Sequence, residues 1–197
     1  MLKEFTSALR PAIVLTLLSA ALLGLVYPAL ITAIGQIAFP YQTNGSILKD
    51  GDRIVGSELI AQGFASDRYF HPRPSAAGKG YEADNSYGSN YGPTSQALHD
   101  RMKADIEKLR SSPDAPPPDL VTTSASGLDP HISPEAALFQ VDRVAKARAI
   151  PRETVRHLVE TRTEQPLLGF LGEPRVNVLM LNRALDTLSK EPAKQAP

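Results

Sequence analysis

The chain has 197 residues, and 21 Lys and Arg are balanced by 21 Asp and Glu, so its formal net charge is zero at pH 7. This balance gives no net attraction for nucleic acid, and the sequence has no basic run with interleaved aromatic residues, so we predict no nucleic-acid partner. Cysteine and tryptophan are absent, which excludes disulfides and thiol chemistry.

An uncharged apolar segment dominates the N-terminal quarter of the chain. No Asp, Glu, Lys or Arg lies between Arg10 and Lys49, and residues 12–38 are almost entirely apolar. Because a helix rises ~1.5 Å per residue, roughly 20 apolar residues cross a hydrocarbon core of ~30 Å. We predict a short cytoplasmic tail at 1–11, a transmembrane helix at 12–38, a soluble domain at 39–190 and a disordered tail at 191–197.

A cleaved signal peptide is the alternative interpretation of this segment. Its apolar core would exceed the usual length of ~7–15 residues, and the small residues 19–21 lie inside the apolar run. We therefore favour an uncleaved anchor. The tail carries Lys3 and Arg10 against Glu4, which favours a cytoplasmic N-terminus and an extracytoplasmic domain.

The span also has features that indicate neighbouring helices. Pro11 suits the first helical turn, whereas Pro28 lies inside the span and should kink it. In lipid, the carbonyl group freed by such a kink usually needs a neighbouring helix. Small residues that allow close helix contact recur along the span, namely Thr16, Ser19, Gly24, Thr32 and Gly35.

The soluble part predicts an α+β fold, in which three or four helices accompany a small antiparallel sheet. Gly51 between two short strand-like runs predicts a hairpin over 44–56. A loop-rich stretch follows at 64–93, and a Pro-rich flexible linker at 111–118. Residues 120–122 form a candidate strand. Capping residues and prolines predict helix starts at Thr94 or Ser95, Ser133, Pro151 and Asn177.

Apolar residues at helical spacing predict the buried faces of these four helices. In chain order the faces consist of Leu98, Met102, Ile106 and Leu109; Ala137, Leu138, Val141, Val144 and Ala145; Val155, Leu158 and Val159; and Val178, Leu181, Leu185 and Leu188. Each face is narrow, so each helix should pack on one side only.

Catalytic motifs are scarce in this sequence. It contains no G-x-x-x-x-G-K-[ST] phosphate loop and no G-x-S-x-G nucleophile elbow. Ser46 and Lys49 match S-x-x-K, but the S-D-N-like and K-T-G-like segments that penicillin-recognising enzymes also need are missing. A membrane-anchored extracytoplasmic enzyme of the serine or His/Asp type, using Ser46 or His131, stays the alternative function.

The histidines and nearby acids give only modest signals. No two histidines have a metal-binding spacing, so we predict no metal site. Asp129 and His131 could form a carboxylate–imidazole pair for acid–base chemistry, but we favour a turn in which Asp129 accepts bonds from nearby backbone N–H groups. Glu173 and Arg175 could form an ion pair or a partner contact, and a plain surface pair is favoured. The histidines are His71, His99, His131 and His157.

Several segments, in consistent order from about residue 7 to 188, match one family pattern. They are the span with Gly24, Tyr27 and Pro28, then Phe39-Pro40, Asn44-Gly45-Ser46, Tyr69 to Ala76, Gly88-Ser89-Asn90, Asp119 to Pro134, Arg143 to Arg148, and Gly172 to Leu185. With these segments the chain resembles the C subunit of the Kdp-type potassium-transporting P-type ATPase.

The resemblance implies an accessory subunit with no catalytic residue, no metal and no firmly bound cofactor, which meets ATP only through a complex. It implies three partners: a channel-like K⁺-binding subunit, an ATP-hydrolysing pump subunit and a small membrane subunit. It also implies a single-pass protein of the bacterial inner membrane. The candidate partner contacts are Gly24, Tyr27, Pro28, His71, Arg73, Asp129, His131, Glu173, Arg175 and Asn177.

Two roles are attached to this family. In one, the C subunit is a catalytic chaperone that raises the pump subunit's affinity for ATP, and Gly88, Ser89, Asn90 and Gln96 are then candidate nucleotide contacts. In the other, its domain lies outside, over the ion entrance of the channel-like subunit, where it supports assembly or tunes potassium access. Because ATP is cytoplasmic, an extracytoplasmic domain excludes direct nucleotide contact, and we favour the external role.

Overall fold

The computed structural model describes residues 2–109 and 115–190, and it divides into two compact units, Met1–Ile47 and Leu48–Pro197. The helices are α1 Leu2–Ala21, α2 Tyr27–Ala38, α3 Pro40–Thr43, α4 Gln96–Lys108, α5 Pro134–Arg148, α6 Arg152–Thr161 and α7 Val178–Lys190. The strands are β1 Ile47–Asp50, β2 Arg53–Ser57, β3 His131–Ile132, β4 Thr163–Glu164 and β5 Arg175–Asn177. The predicted α+β class, with one long apolar helix ahead of a small domain, is confirmed.

A π-helical turn, Leu22–Val26, joins α1 to α2. Within it the Tyr27 N–H donates to the Leu22 carbonyl oxygen, five residues back. Pro28 has no N–H to continue the regular ladder, so the irregular turn falls where a donor is missing. In the described part of the chain, one helix, Lys3–Ala38, is long and apolar enough to cross a membrane.

The first helix is longer than the predicted span. It begins at Leu2, so Pro11 lies inside α1 rather than in its first turn, and that prediction is wrong. The Thr6 and Ser7 hydroxyls donate to carbonyl groups three residues earlier and so remain compatible with helix. A single proline removes only one backbone bond, which a long helix tolerates.

A tight turn follows α2. The Phe39 N–H donates to the Gly35 carbonyl at 2.7 Å, and α3 begins directly afterwards. The Asn44 side-chain amide donates to Gln36 Oε1 at 3.1 Å and to the Pro40 carbonyl at 2.6 Å. The chain therefore leaves the helix through a segment that is hydrogen-bonded back to the helix.

The second unit contains a β1–β2 hairpin, as predicted, and a three-stranded sheet of order β3-β5-β4. Both pairings in the three-stranded sheet are antiparallel, with the register His131↔Asn177, Ile132↔Val176, Thr163↔Val176 and Glu164↔Arg175. The strand predicted at 120–122 is absent, and Pro118–Leu120 forms a 3-10 turn there instead. The prolines preceding it lack the N–H groups that a strand would donate to a sheet.

The core lies between α5, α6, α7 and the three-stranded sheet. Its fully or almost fully buried side chains include Phe70, Ile132, Ala137, Val141, Val144, Val155, Val159, Val176, Leu181 and Leu185. Most predicted inward positions are confirmed. In α4, which has no buried residue, Ile106 is wrong, since it is 37% exposed. Leu138 is also wrong, since it is 38% exposed. It follows Ala137 by ~100° around α5 and so falls at the edge of the buried face.

Helix starts agree with the sequence signals. The Ser133 hydroxyl accepts a bond from the Ala136 N–H at 3.2 Å, and Asn177 Oδ1 accepts one from the Met180 N–H at 3.1 Å. Residues 58–95, between β2 and α4, form no helix or strand, as the loop-rich composition predicted. Residues 111–114 of the predicted linker and the tail 191–197 lie outside the described residues.

Candidate functional site

A cleft of about 710 Å³ brings together residues that are far apart in the sequence. Five of the residues singled out above line it, namely Arg73, Asp129, His131, Glu173 and Arg175. They come from three stretches: the long loop after β2, the approach to β3, and the β4–β5 hairpin. The fold therefore places five of the ten candidate partner contacts in a single cleft.

Two buried amide side chains fix the loop that carries Arg73. Gln140 accepts from the His71 N–H at 2.8 Å and donates to the His71 carbonyl at 3.1 Å. Asn182 makes the same two bonds with Phe70, at 2.8 and 3.0 Å. Each amide thus pairs with one residue's backbone in the way a neighbouring strand would. These amides project from α5 and α7, so the two helices fix the position of the backbone just before Arg73.

The half-buried guanidinium of Arg73 reaches across to the segment before β3. It donates to the Thr122 carbonyl and hydroxyl at 3.4 and 3.3 Å, and to the Thr123 carbonyl at 3.4 Å. Arg73 Nη1 also lies 3.6 Å from Asp129 Oδ2. Arg73 therefore joins the two segments that form this wall of the cleft.

Asp129 makes both contacts that the sequence left open. Its Oδ1 accepts from the His131 N–H at 3.0 Å, which is the predicted turn, and lies 3.3 Å from His131 Nδ1. Burial raises the pKa of the Asp129 carboxyl, but the His131 hydrogen bonds and the charge of Arg73 outweigh it and hold the pKa below its ordinary value. Asp129 is accordingly a carboxylate at neutral pH.

Two lining residues were missed by the sequence reasoning. Asp119 Oδ2 accepts from the Ser133 N–H at 2.7 Å, so it satisfies a backbone donor at the start of α5. Ser133 was recognised only as the cap of that helix. The one available signal was that both lie in the 119–134 stretch that carries the strongest resemblance.

The opposite wall of the cleft is the β4–β5 hairpin. Arg175 Nε donates to Glu164 Oε2 at 2.9 Å, so Arg175 pairs across the two strands and the surface pair predicted between Glu173 and Arg175 is wrong. Glu173 is exposed. The connection between these strands spans residues 165–174, and its residues 165–172 are here named the apolar tip. Its large side chains are exposed: Leu167 70%, Leu168 76%, Phe170 73% and Leu171 50%.

The remaining domain candidates lie outside the cleft lining. His71 Nε2 is 3.1 Å from the Ser66 carbonyl oxygen. Burial, reinforced by the charge of Arg143, lowers the pKa of His71 below 6.5. Asn177 caps α7 and donates from its amide to the Glu58 carbonyl at 2.8 Å. Both residues hold the fold together in this structure.

The nucleotide-contact candidates also lie away from the cleft. Residues 88–90 precede α4, and Gln96 is the first residue of that helix. The Ser89 hydroxyl accepts a bond from the Thr123 hydroxyl at 3.1 Å, and the Gln96 amide donates to Asp100 Oδ1 at 2.8 Å. Two of the four candidate residues, Ser89 and Gln96, are therefore already engaged by the protein.

The candidate residues of the first helix surround its π-helical turn. Gly24 lies inside the turn, and a methyl group added at Gly24 would meet no atom within 4 Å. Tyr27 and Pro28 start α2, and both are exposed.

The enzymatic motifs find little geometric support. Ser46 is buried with a φ of 48° in the turn before β1, and Lys49 lies in that strand. The S-x-x-K arrangement would need both on a helix. Within residues 2–109 and 115–190, no cluster of three or more His, Asp or Glu could hold a metal ion.

Comparisons with known proteins identify the family. The family model of KdpC, described as "K+-transporting ATPase, c chain", matches residues 9–187. Proteins named "Potassium-transporting ATPase KdpC subunit" are 55% identical in Caulobacter vibrioides, covering 91% of this chain and 93% of the relative, and 54% in Bradyrhizobium diazoefficiens, covering 90% and 96%. A Myxococcus xanthus relative of the same name is 53% identical, covering 94% and 89%. The chain therefore belongs to the KdpC family, as its resemblance predicted.

Proposed function

We propose that this chain is a non-catalytic accessory subunit of an ATP-driven potassium uptake complex of the bacterial inner membrane. The observation that carries the proposal is the family match over residues 9–187, which includes both the apolar helix and the domain. Relatives of similar length carry the name of a potassium-transporting ATPase subunit. The chain then acts through contacts with other subunits, and its fold needs no catalytic centre.

The partners would be a channel-like K⁺-binding subunit, an ATP-hydrolysing pump subunit and a small membrane subunit. In the membrane, the π-helical turn and Pro28 would face a neighbouring helix, because the irregular backbone there needs satisfaction that lipid cannot provide. In the domain, the charged cleft would contact a subunit. Its carboxylate and guanidinium groups are held by backbone bonds, which suits recognition of a fixed surface.

Between the two family roles, we favour the extracytoplasmic one. An outside domain can meet the ion entrance and cannot meet cytoplasmic ATP. The engagement of Ser89 by Thr123 and of Gln96 by Asp100 is consistent with a structural role for the proposed nucleotide loop. ATP would then be used by the complex, and its binding would be changed by this chain only indirectly.

Single cysteines would test the orientation, since the natural chain has none. Lys79 is exposed in the domain, and Ser7 is exposed near the start of α1. In intact cells, a membrane-impermeant maleimide should label Lys79→Cys before lysis and Ser7→Cys only after lysis. Labelling with the opposite pattern would place the domain in the cytoplasm and favour the chaperone role.

Purification separates the subunit from the alternative enzyme, which is kept because His131 lies 3.3 Å from Asp129. We expect the tagged chain to be recovered with a P-type ATPase, and K⁺-stimulated ATP hydrolysis to be lost from membranes that lack the chain. An enzyme would instead be recovered alone, with a hydrolytic turnover of its own that Ser46→Ala or His131→Ala abolishes.

A further inference from the structure

The apolar tip is an uncharged, exposed surface on an otherwise mixed domain. Residues 165–172 contain no charged side chain, and Leu167, Leu168, Phe170 and Leu171 are all at least half exposed. Four adjacent large apolar side chains in water are unfavourable in a soluble domain, because each leaves surface that burial would remove from water. The tip is therefore expected to meet something apolar in the working protein.

Four backbone N–H groups of the tip are hydrogen-bonded within the tip itself. The Leu167 and Leu171 N–H groups each donate to the other's carbonyl, at 3.1 and 2.9 Å. Inside that pair, the Gly169 N–H donates to the Pro166 carbonyl at 2.9 Å and the Phe170 N–H to the Leu167 carbonyl at 3.4 Å. Unsatisfied backbone groups are the main cost of moving a loop out of water, and these bonds reduce that cost.

Chain connectivity limits how far the first residue of the domain can lie from the bilayer if the first helix crosses it, so this inference rests on the proposed function. The helix ends at Ala38, and the second unit begins at Leu48. The ten residue steps from Ala38 to Leu48 reach at most about 35 Å when fully extended. Helix α3 and the Asn44 bonds shorten that reach. Leu48, where the second unit begins, therefore lies within this reach of the end of the helix.

We propose that the apolar tip inserts into the interfacial layer of the bilayer, as a second membrane contact beside the N-terminal helix. The occupant of its surface is lipid: the acyl chains near the headgroups take up Leu168 and Phe170. The base of the hairpin is polar, with the exposed Arg175–Glu164 pair and Glu173, as expected for residues at headgroup level.

A lipid fits this surface better than a pocket of another protein. Protein interfaces combine an apolar centre with directional polar contacts. From Pro166 to Leu171 the tip offers only hydrocarbon side chains, and its N–H groups at 167, 169, 170 and 171 are bonded internally. Leu167 and Leu171 also line the charged cleft, whereas Leu168 and Phe170 do not. This outer pair offers no directional contact, and lipid needs none.

The natural chain lacks tryptophan, so one substitution creates a single reporter. The full chain carrying Phe170→Trp is reconstituted into phosphatidylethanolamine/phosphatidylglycerol vesicles, with and without brominated acyl chains. Tyr87→Trp is the matched control, because Tyr87 is a similarly exposed aromatic residue outside the tip. Leu168→Trp is a second reporter if Phe170→Trp does not fold. Flotation of the vesicles shows whether the chain is membrane-integrated.

We expect Phe170→Trp to show blue-shifted emission and to lose most of it to brominated lipid, while Tyr87→Trp keeps a water-exposed spectrum. Floated protein with no lipid quenching of Phe170→Trp or Leu168→Trp overturns the inference and leaves the proposed function intact. A blue shift without quenching means that the tip is in a protein pocket and also overturns it. Protein that fails to float contradicts the membrane anchor itself and removes the basis of the inference.

Discussion

The two units use the same residue types in opposite ways. In the helix of the first unit, Leu25 and Ile37 are exposed along with every other large apolar side chain that follows Arg10. In the second unit, Leu181 and Ile132 are completely or almost completely buried. The difference is one of partners: the domain covers its apolar surface with its own chain, whereas the helix must have it covered by lipid or by other helices.

The apolar tip is the exception within the domain, since its side chains resemble those of the helix in exposure. Leu168 is exposed like Leu25, although it lies in the same unit as Leu181. Whether a large apolar side chain is exposed therefore depends on the segment that carries it and not on the unit to which that segment belongs. The comparison can be tested by substitutions of the same kind in the different regions.

The largest effect is expected from Leu181→Ala. This substitution should lower the free energy of unfolding of the domain by about 2–5 kcal/mol, because it leaves a cavity in a closed core. The identical substitutions Leu25→Ala and Leu168→Ala should leave that free energy almost unchanged. Urea unfolding of the full chain in detergent measures all three. Equal losses of unfolding free energy at the three positions would contradict the distinction between buried and exposed apolar regions.

Asn182→Ala should come next, with a loss of about 1–3 kcal/mol, because it leaves the buried backbone groups of Phe70 without their partner. Hydrogen exchange should show faster exchange of the Phe70 amide, while the core of α6 stays protected. Asn85→Ala, at an exposed position, is the control and should have no measurable effect. Unchanged protection of Phe70 would show that Asn182 does not hold the loop.

Pro28→Leu tests whether a neighbouring helix covers the apolar helix of the first unit. The substitution should restore regular helix at the π-helical turn and so remove the shape that a neighbouring helix contacts. The free energy of association with that helix should become less favourable by roughly 1–2 kcal/mol. Recovery of intact complex after purification should fall several-fold, with the unfolding curve of the domain unchanged. Pro11→Leu is the matched control in α1. Full recovery of Pro28→Leu complexes would contradict a partner at this turn.

Asp129→Asn tests the cleft. It removes the charge that faces Arg73 but keeps an oxygen for the His131 N–H, so domain stability should fall by only about 0.5–1 kcal/mol. If the cleft binds a subunit, the complex should lose more K⁺-stimulated ATP hydrolysis than this small change explains. Asp142→Asn, which disrupts an exposed ion pair with Arg152, is the control. The same activity in both variants would remove the cleft from the interface.

The smallest effect concerns pH. The pKa of His71 is lowered in the folded state by burial and by Arg143, so the folded protein favours the neutral ring. The stability contributed by His71 is therefore complete above its unfolded pKa of 6.5 and declines as the pH falls below that value toward the folded pKa. His71→Gln should flatten this decline, whereas His99→Gln, at an exposed site on α4, should not. A decline that is unchanged by His71→Gln would assign it to another group.

Sequence signals predicted the structure correctly where a residue bonds to groups that are close to it in the chain. Ser133 and Asn177 cap the helices they were predicted to cap, and Gly51, with a φ of 61°, lies in the predicted hairpin turn. Residues 120–122 were misassigned because their apolar character indicated a strand, while the prolines before them and the Asp119 bond to Ser133 favour a turn. That bond joins positions 14 residues apart, so no local pattern contains it.

The candidate site shows the same limit. The sequence paired Asp129 with His131 and Glu173 with Arg175, but it gave no reason to bring the two pairs together with Arg73. Gln140 and Asn182 decide the grouping, since they pin the loop backbone to α5 and α7 from 69 and 112 residues away. Periodicity alone describes them as polar residues on mostly apolar helices.

The sequence by itself determined the long apolar helix and the α+β domain, because uninterrupted hydrophobicity, periodicity and capping are properties of neighbouring residues. The family followed from the resemblance of its ordered segments to a known family pattern. Only the tertiary structure decided that Arg73 and Asp129 meet in one cleft and that the apolar tip lies in a hairpin connection with four of its N–H groups bonded internally. Those features depend on which distant segments pack together, and that is determined by the free energy of the whole core.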